Sequence, residues 1–230
     1  MFSGSLSASA ELGRPPDQRA MVLVLAALVF APFAAGAEVA FKFIDQKNQP
    51  VADAVVSLLP LDAAAKSVAP AEAAVISQQK QEFIPYVTAV QVGSAVHFPN
   101  RDTVKHQVYS SSKIKKFELP LYVGEAKEPI VFDRPGVIAV GCNIHDWMLA
   151  YVVVLDTPWF AKSAADGTAS IGRAPPGRYR VEIWQPRLDK PVTREITVTE
   201  GPAAPTAVTL ELGRDRRIRR TPDAKGGGYK

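Results

Sequence analysis

Apolar residues recur along much of this chain at every second position. Val39, Phe41 and Phe43 alternate with polar or small neighbours, and Lys47-Asn48-Gln49-Pro50 then turns the chain toward Ala54, Val55, Val56 and Leu58. A period of two puts every other side chain on one face of a strand, so residues 38–60 are predicted to be two strands joined by a turn. The pattern lapses over 61–74 (LDAAAKSVAPAEAA), an alanine- and proline-rich stretch with no strong amphipathic face that reads as a linker. It resumes with Val75, Phe83, Val87, Val90 and Val92, turns at Gly93-Ser94, and continues through Val96 and Phe98. Pro99-Asn100-Arg101-Asp102 reads as a loop, with His106 beyond it and Val108 and Tyr109 following. The mostly apolar run 117–122 is another strand candidate, and Asp133-Arg134-Pro135-Gly136 is a turn feeding the run 137–140. Tyr151 to Val154 form a further apolar run, and strand-and-turn patterns continue at 166–167, 175–181, 192–198 and 208–212. The expected class is all-β.

Composition agrees with short strands and turns: 19 prolines and 15 glycines stand among 230 residues that are 47% hydrophobic. That length can bury one large core or two small ones. The net charge of +4 misleads, because residues 214–230 alone carry seven basic against two acidic side chains. Residues 1–37 are neutral and the body 38–213 is about −1, so no basic face calls for nucleic acid. The tail 213–230 is expected to be a solvated, disordered end, with attraction to an anionic membrane surface as its alternative use.

The run from Met21 to Ala35 is fifteen residues of apolar sequence followed by Ala35-Gly36-Ala37. It reads as an export signal over 1–37 cleaved before Glu38, since fifteen residues fall short of the ~20 that a spanning helix needs. Export to the periplasm would put the single cysteine, Cys142, in an oxidising compartment with no partner for an internal disulfide.

That cysteine lies in Gly141-Cys142-Asn143-Ile144-His145-Asp146-Trp147-Met148, which offers a thiolate, an imidazole and a thioether between two apolar runs. A thiolate, two imidazoles and a long axial thioether suit electron-transfer copper, and the second imidazole must come from His97 or His106. His97 stands between Val96 and Phe98, which should both point inward, so its own side chain should face solvent. Three histidines leave too few donors for a second redox copper, which argues against an oxidase. Covalent c-type haem attachment needs two cysteines.

Residues 75–155 resemble the cupredoxins, the blue copper family of plastocyanin and amicyanin, and methylamine-utilisation-type proteins. The resemblance rests on Gly136-Val137-Ile138-Ala139-Val140-Gly141-Cys142, on Asn100-x5-His106 and on the amicyanin-like Cys-x2-His-x2-Met spacing. It implies one type 1 copper held by His106, Cys142, His145 and Met148, with Asn100 tying the first ligand loop to the cysteine loop. Ile144 and Asp146 stand where amicyanin has prolines, and Val140 and Ile138 where aromatic residues are usual, changes that bear on the reduction potential. In this family the histidine of the cysteine loop reaches the surface, so Ile144, Trp147 and Pro99 are expected around His145 as an apolar docking patch.

The flanks carry a second resemblance, to the carboxypeptidase-regulatory-like (transthyretin-like) β-sandwich. Gln49-Pro50-Val51 with Ala54-Val55-Val56 match its opening, and Asp166-Gly167, 175–181, 192–198 and 208–212 match its second half. The expected organisation is therefore a Greek-key cupredoxin sandwich (75–155), preceded by the linker, inserted into a smaller sandwich made from 38–60 and 156–212. Leu61 and Asp156 should then be neighbours. The implied function is a one-electron carrier rather than an enzyme, with a redox protein partner such as a dehydrogenase or a cytochrome c. The alternatives are a copper-delivery protein and a structural module whose ligand loop binds no metal.

Overall fold

The computed structural model describes Met1 and residues 37–62, 73–126, 128–201, 204–215 and 217. The predicted export segment, most of the 61–74 linker and most of the basic tail lie outside these residues. Among them the chain forms strands and no helix. In order these are β1 (Ala37–Asp45), β2 (Val55–Pro60), β3 (Ala74–Val75), β4 (Ser77–Gln79), β5 (Glu82–Ile84) and β6 (Val87–Gln91). There follow β7 (Ser94–His97), β8 (His106–Ser110), β9 (Phe117–Tyr122), β10 (Ile130–Phe132), β11 (Gly136–Gly141) and β12 (Leu149–Leu155). The last are β13 (Phe160–Lys162), β14 (Thr168–Ala174), β15 (Gly177–Trp184), β16 (Val192–Val198) and β17 (Thr206–Leu210).

Residues 74–155 build a Greek-key β-sandwich. One sheet runs β6-β12-β11-β8-β9 and the other β10-β7-β3. The chain leaves the β8–β9 hairpin, crosses to the opposite sheet as β10, and returns as β11 beside β8. Between the sheets Ile76, Phe98, Val108, Phe132, Ile138, Val140 and Val152 form an apolar cluster that also takes in Cys142 and Met148. Alternation explains the membership. Ile138 and Val140 of β11 are fully buried while Ala139 is exposed, and Val96 is buried while His97 faces solvent, as its neighbours predicted. Each fully buried aliphatic or aromatic side chain contributes about 1.5–3 kcal/mol relative to staying in water.

The strands outside this segment form two further sheets, β14-β1-β17 and β13-β2-β15-β16. They share a second cluster, with Phe41 and Phe43 from β1, Val56 and Leu58 from β2, and Tyr179, Val181 and Ile183 from β15. Strands from 37–60 therefore pack with strands from 160–210. Leu58 donates its amide to Trp159 O (2.9 Å) and accepts from Thr157 Oγ1 (2.8 Å).

A third, small cluster joins the two. Val55, Val87 and Val153 are buried together, flanked by Tyr86, Tyr151 and Trp184. It explains why β12 reads as apolar throughout rather than alternating. Ala150, Val152 and Val154 face one cluster, Val153 the other, and the strand is covered on both sides. At the start of the basic tail, Arg217 bonds Asp215 (2.9 Å) and lies over the Tyr86 ring (4.4 Å), so this arginine folds back onto the protein instead of extending into solvent.

Gly167, just before β14, packs directly against the backbone of β1. It sits at φ +84°, and a Cβ there would come within 2.3 Å of Phe43 O. Its own carbonyl accepts from Phe43 N at 2.8 Å. Gly167→Ala should therefore lower stability by at least about 2 kcal/mol, from left-handed strain and the clash together. A urea denaturation midpoint equal to that of the unsubstituted protein would contradict the role given to this turn.

Candidate metal centre

Antiparallel pairing builds the centre. Gly141, at the end of β11, pairs with Tyr109 of β8 on one side and Leu149 of β12 on the other. Cys142 is the next residue in the loop, and His106 opens β8 three residues before Tyr109, so the register carries both to the same end of the sheet. The loop 142–148 then turns tightly, with Met148 N donating to His145 O at 2.9 Å, which brings His145 back over Cys142.

One ligand atom each from His106, Cys142 and His145 lies within 4.8 Å of the others. The two Nδ1 atoms are 3.1 Å apart, and Cys142 Sγ is 3.8 Å from His145 Nδ1. An ion about 2.0 Å from nitrogen and about 2.3 Å from sulfur, with bond angles of roughly 100–120°, separates two such donors by about 3.1–3.8 Å. The donor set fits a first-row ion that favours thiolate and imidazole, copper or zinc. His106 is fully buried and Cys142 is 4% exposed, while His145 is half-buried on the open side. Met148 is buried in the same cluster as Cys142.

Polar support surrounds this core. His106 Nε2 lies 2.8 Å from Asp102 Oδ2. An ionised carboxylate only accepts, so Nε2 donates to it, and in the neutral imidazole Nδ1 then keeps its lone pair toward the other donors. Burial pushes the Asp102 carboxyl up, but hydrogen bonds from Gln81 N, His106 and Lys80 N outweigh it and hold the group below the ordinary carboxylate range. Behind the ligands, buried Gln78 donates to Phe98 O (3.0 Å) and to Tyr122 Oη (2.6 Å), and Tyr122 Oη in turn donates to Phe98 O. Burial is the main cause that pushes the Tyr122 phenol up to about 12, with the nearby Glu125 and Cys142 charges adding to it.

His106, Cys142 and His145 are thus brought together, and His97 stands apart on the solvent face of β7. Asn100 corrects one expectation. Its Nδ2 donates to Val104 O (2.9 Å) and Tyr122 O (2.6 Å), and its Oδ1 accepts from Asp102 N (2.9 Å). All three partners belong to the first ligand loop or β9, so the side chain stitches that loop to the adjoining strand and not to the cysteine loop. The docking patch differs too. Pro99 is buried, and Trp147 is half-buried with Nε1 donating to Gln81 O at 2.9 Å. Ile144 remains exposed at 45%, and Val104 and Val123, which sequence reasoning overlooked, are exposed apolar residues as well. It also overlooked Asp102 as a partner of His106, although a carboxylate four residues ahead of a candidate ligand histidine was a usable signal.

No family model matches the chain, and no curated relative does. Among solved structures it is similar to a purple cupredoxin from Nitrosopumilus maritimus, 24% identical over 36% of this chain and 99% of that one, with a TM-score of 0.33. A copper-containing nitrite reductase from Thermus scotoductus SA-01 matches at 23% identity over 42% of this chain and 25% of that one, with a TM-score of 0.35. An amicyanin variant in its Cu(I) form matches at 22% identity over 44% of this chain and 98% of that one, with a TM-score of 0.33.

The cluster can be tested with a probe ion. Cobalt(II) added to the reduced protein should bind one-to-one and produce sulfur-to-metal absorption. Cys142→Ser should remove that band and weaken binding by more than the about 10–100-fold expected of an outer-sphere partner. Equal cobalt affinity in the two proteins would mean that the thiolate is not a ligand.

Proposed function

We propose that this protein is a mononuclear type 1 copper protein that carries single electrons, with His106, Cys142, His145 and Met148 as the residues that would hold the ion. The observation that carries the reading is the convergence of two imidazole Nδ1 atoms and the only thiol within 4.8 Å, at one end of the β6-β12-β11-β8-β9 sheet. Copper bound there would supply a Cu(II)/Cu(I) couple that accepts and releases one electron. The chain's own part is to hold the donors still. His106 is fully buried at the start of β8 and Cys142 directly follows β11, so neither can swing away without disturbing the sheet. Apolar side chains around Cys142 and Met148 exclude water from the protein side. His145 alone lies toward the surface, beside exposed Ile144, which gives an electron a short way in and out.

No substrate bond is made or broken in this reading, and the implied partner is another redox protein, such as a dehydrogenase or a cytochrome c. A transient redox contact needs only a small interface, and exposed Ile144, next in the chain to His145, is a candidate for it. The proposed location is the periplasm, on the strength of the export-like segment 21–37 in the sequence. We also propose that residues 75–155 are an inserted cupredoxin module and that 38–60 with 156–212 form a carboxypeptidase-regulatory-like sandwich. The separate apolar clusters of the two sets of strands support that division.

The decisive measurement is copper loading followed by a visible spectrum and a reductive titration. An intense sulfur-to-copper band that bleaches reversibly on one-electron reduction is expected, lost in Cys142→Ser and weakened or shifted in His106→Ala. A colourless protein that binds Cu(I) and readily gives it up would favour metal delivery instead. Met148→Leu should keep copper and colour while raising the reduction potential, because the oxidised ion loses a donor. Complete loss of copper from that variant would rule out a weak axial thioether.

A further inference from the structure

The two-residue turn between β4 and β5 has a conformation its sequence does not favour. Lys80 and Gln81 both sit in the left-handed region, at φ 56° and 58°. Hairpin turns of this kind normally use Asn-Gly or similar pairs, because side chains such as Lys and Gln are strained there. Strain of this sort persists only where the surroundings hold it. Here the surroundings are the metal centre. Asp102 accepts from Lys80 N (2.6 Å, Oδ1) and from Gln81 N (2.8 Å, Oδ2), and the same Oδ2 faces His106 Nε2 at 2.8 Å. On its other side Gln81 O accepts from Trp147 Nε1 at 2.9 Å. The Trp147 ring lies against the His145 ring, with centroids 5.2 Å apart and planes inclined by 49°.

We propose that the Lys80–Gln81 turn is a clamp that sets both ligand imidazoles at once, with Asp102 and Trp147 as positioning residues. The inference rests on the reading of His106 and His145 as ligands. Asp102 reaches His106 and Trp147 reaches His145, and both are anchored on the peptide of Gln81. The two ligand loops are far apart in sequence, and Asn100 does not connect them. One short hairpin does. Asp102 acts in two ways. It fixes the Nε2–H tautomer, which leaves Nδ1 free to coordinate, and its negative charge makes the imidazole a stronger donor. Trp147 acts sterically, holding the His145 ring in register with Cys142 Sγ.

The test uses the full chain, cobalt(II) as the probe and a competing chelator to measure affinity, on Asp102→Asn, Trp147→Phe and the double variant. Asparagine offers one acceptor oxygen where aspartate offers two, so it cannot hold both turn amides and His106. Phenylalanine keeps a ring but loses the N–H. Each single change should weaken binding by about tenfold. The double change should cost clearly less than the product of the two, because either one already releases the shared anchor. In the metal-free protein, nitrogen NMR of His106 should show the Nε2–H tautomer alone, and Asp102→Asn should turn it into a mixture. A purely structural role for Asp102 would lower the melting temperature and leave tautomer and affinity unmoved. Unchanged affinity in both single variants, strictly multiplicative losses, or a mixed tautomer in the unsubstituted protein would overturn the clamp. Should Asp102→Asn fail to fold, Trp147→Phe alone decides, since an unchanged affinity there removes the second arm. If the unsubstituted protein binds no cobalt through sulfur, the ligand reading itself fails. The tautomer measurement, made without metal, still reports on Asp102 independently.

Discussion

The register of β11 is the constraint on which everything else in this protein depends. Gly141 pairs with Tyr109 and with Leu149, and that double pairing brings the start of β8, the end of β11 and the start of β12 to one end of the sheet. A strand slipped by one residue would turn Ile138 and Val140 out of the core and point Ala139 into it. The same slip would carry Cys142 away from His106. Core packing and ligand placement are therefore one requirement, because the side chains that bury the strand also fix where its last residue falls. A side chain in place of Gly141 would crowd this pairing, since a Cβ there would come within 3.3 Å of the Tyr109 ring.

Placing two imidazoles, a thiol and a carboxylate in an apolar sandwich is costly unless each polar atom finds a partner. The structure meets most of that cost in layers, leaving Gln78 Oε1 without a hydrogen-bond partner. Asp102 takes three hydrogen bonds, Asn100 makes three, and Gln78 with Tyr122 closes the space behind the first ligand loop. These groups also join loop to strand, so satisfying the polar atoms and stiffening the ligands are achieved by the same bonds. In the proposed electron-carrying role, a centre that changed oxidation state without changing shape would need that stiffness.

β12 links this centre to the rest of the chain. Its one face closes the cluster containing Cys142 and Met148, and its other packs Val153 against Val55 and Val87. Tyr151 stands edge-on to both Tyr86 and Trp184, so β15 of the outer sheets leans on the strand that directly follows the ligand loop. The outer sheets thus support the back of the sheet that holds the centre.

By itself the sequence determined the class of structure and the chemistry of the loop. Period-two patterning made the chain all-β, and Cys142, His145 and Met148 lie so close together that any tight turn brings their donors near one another. It also disposed of His97, because alternation around Val96 and Phe98 is a local property. What it could not determine were contacts made between distant backbones. The partners of Asn100 depend on where Tyr122 and Gly124 fall, and those positions follow from the pairing of β8 with β9. Gln81 contributes a peptide N–H and C=O, groups that every residue possesses, so nothing in its side chain announces a role. Trp147 read as part of a docking patch until the tertiary structure put Gln81 O within reach of its indole. Side-chain chemistry and alternation are written locally, whereas the bonds that orient the two histidines exist only once separate loops meet. That is why only the tertiary structure decided them.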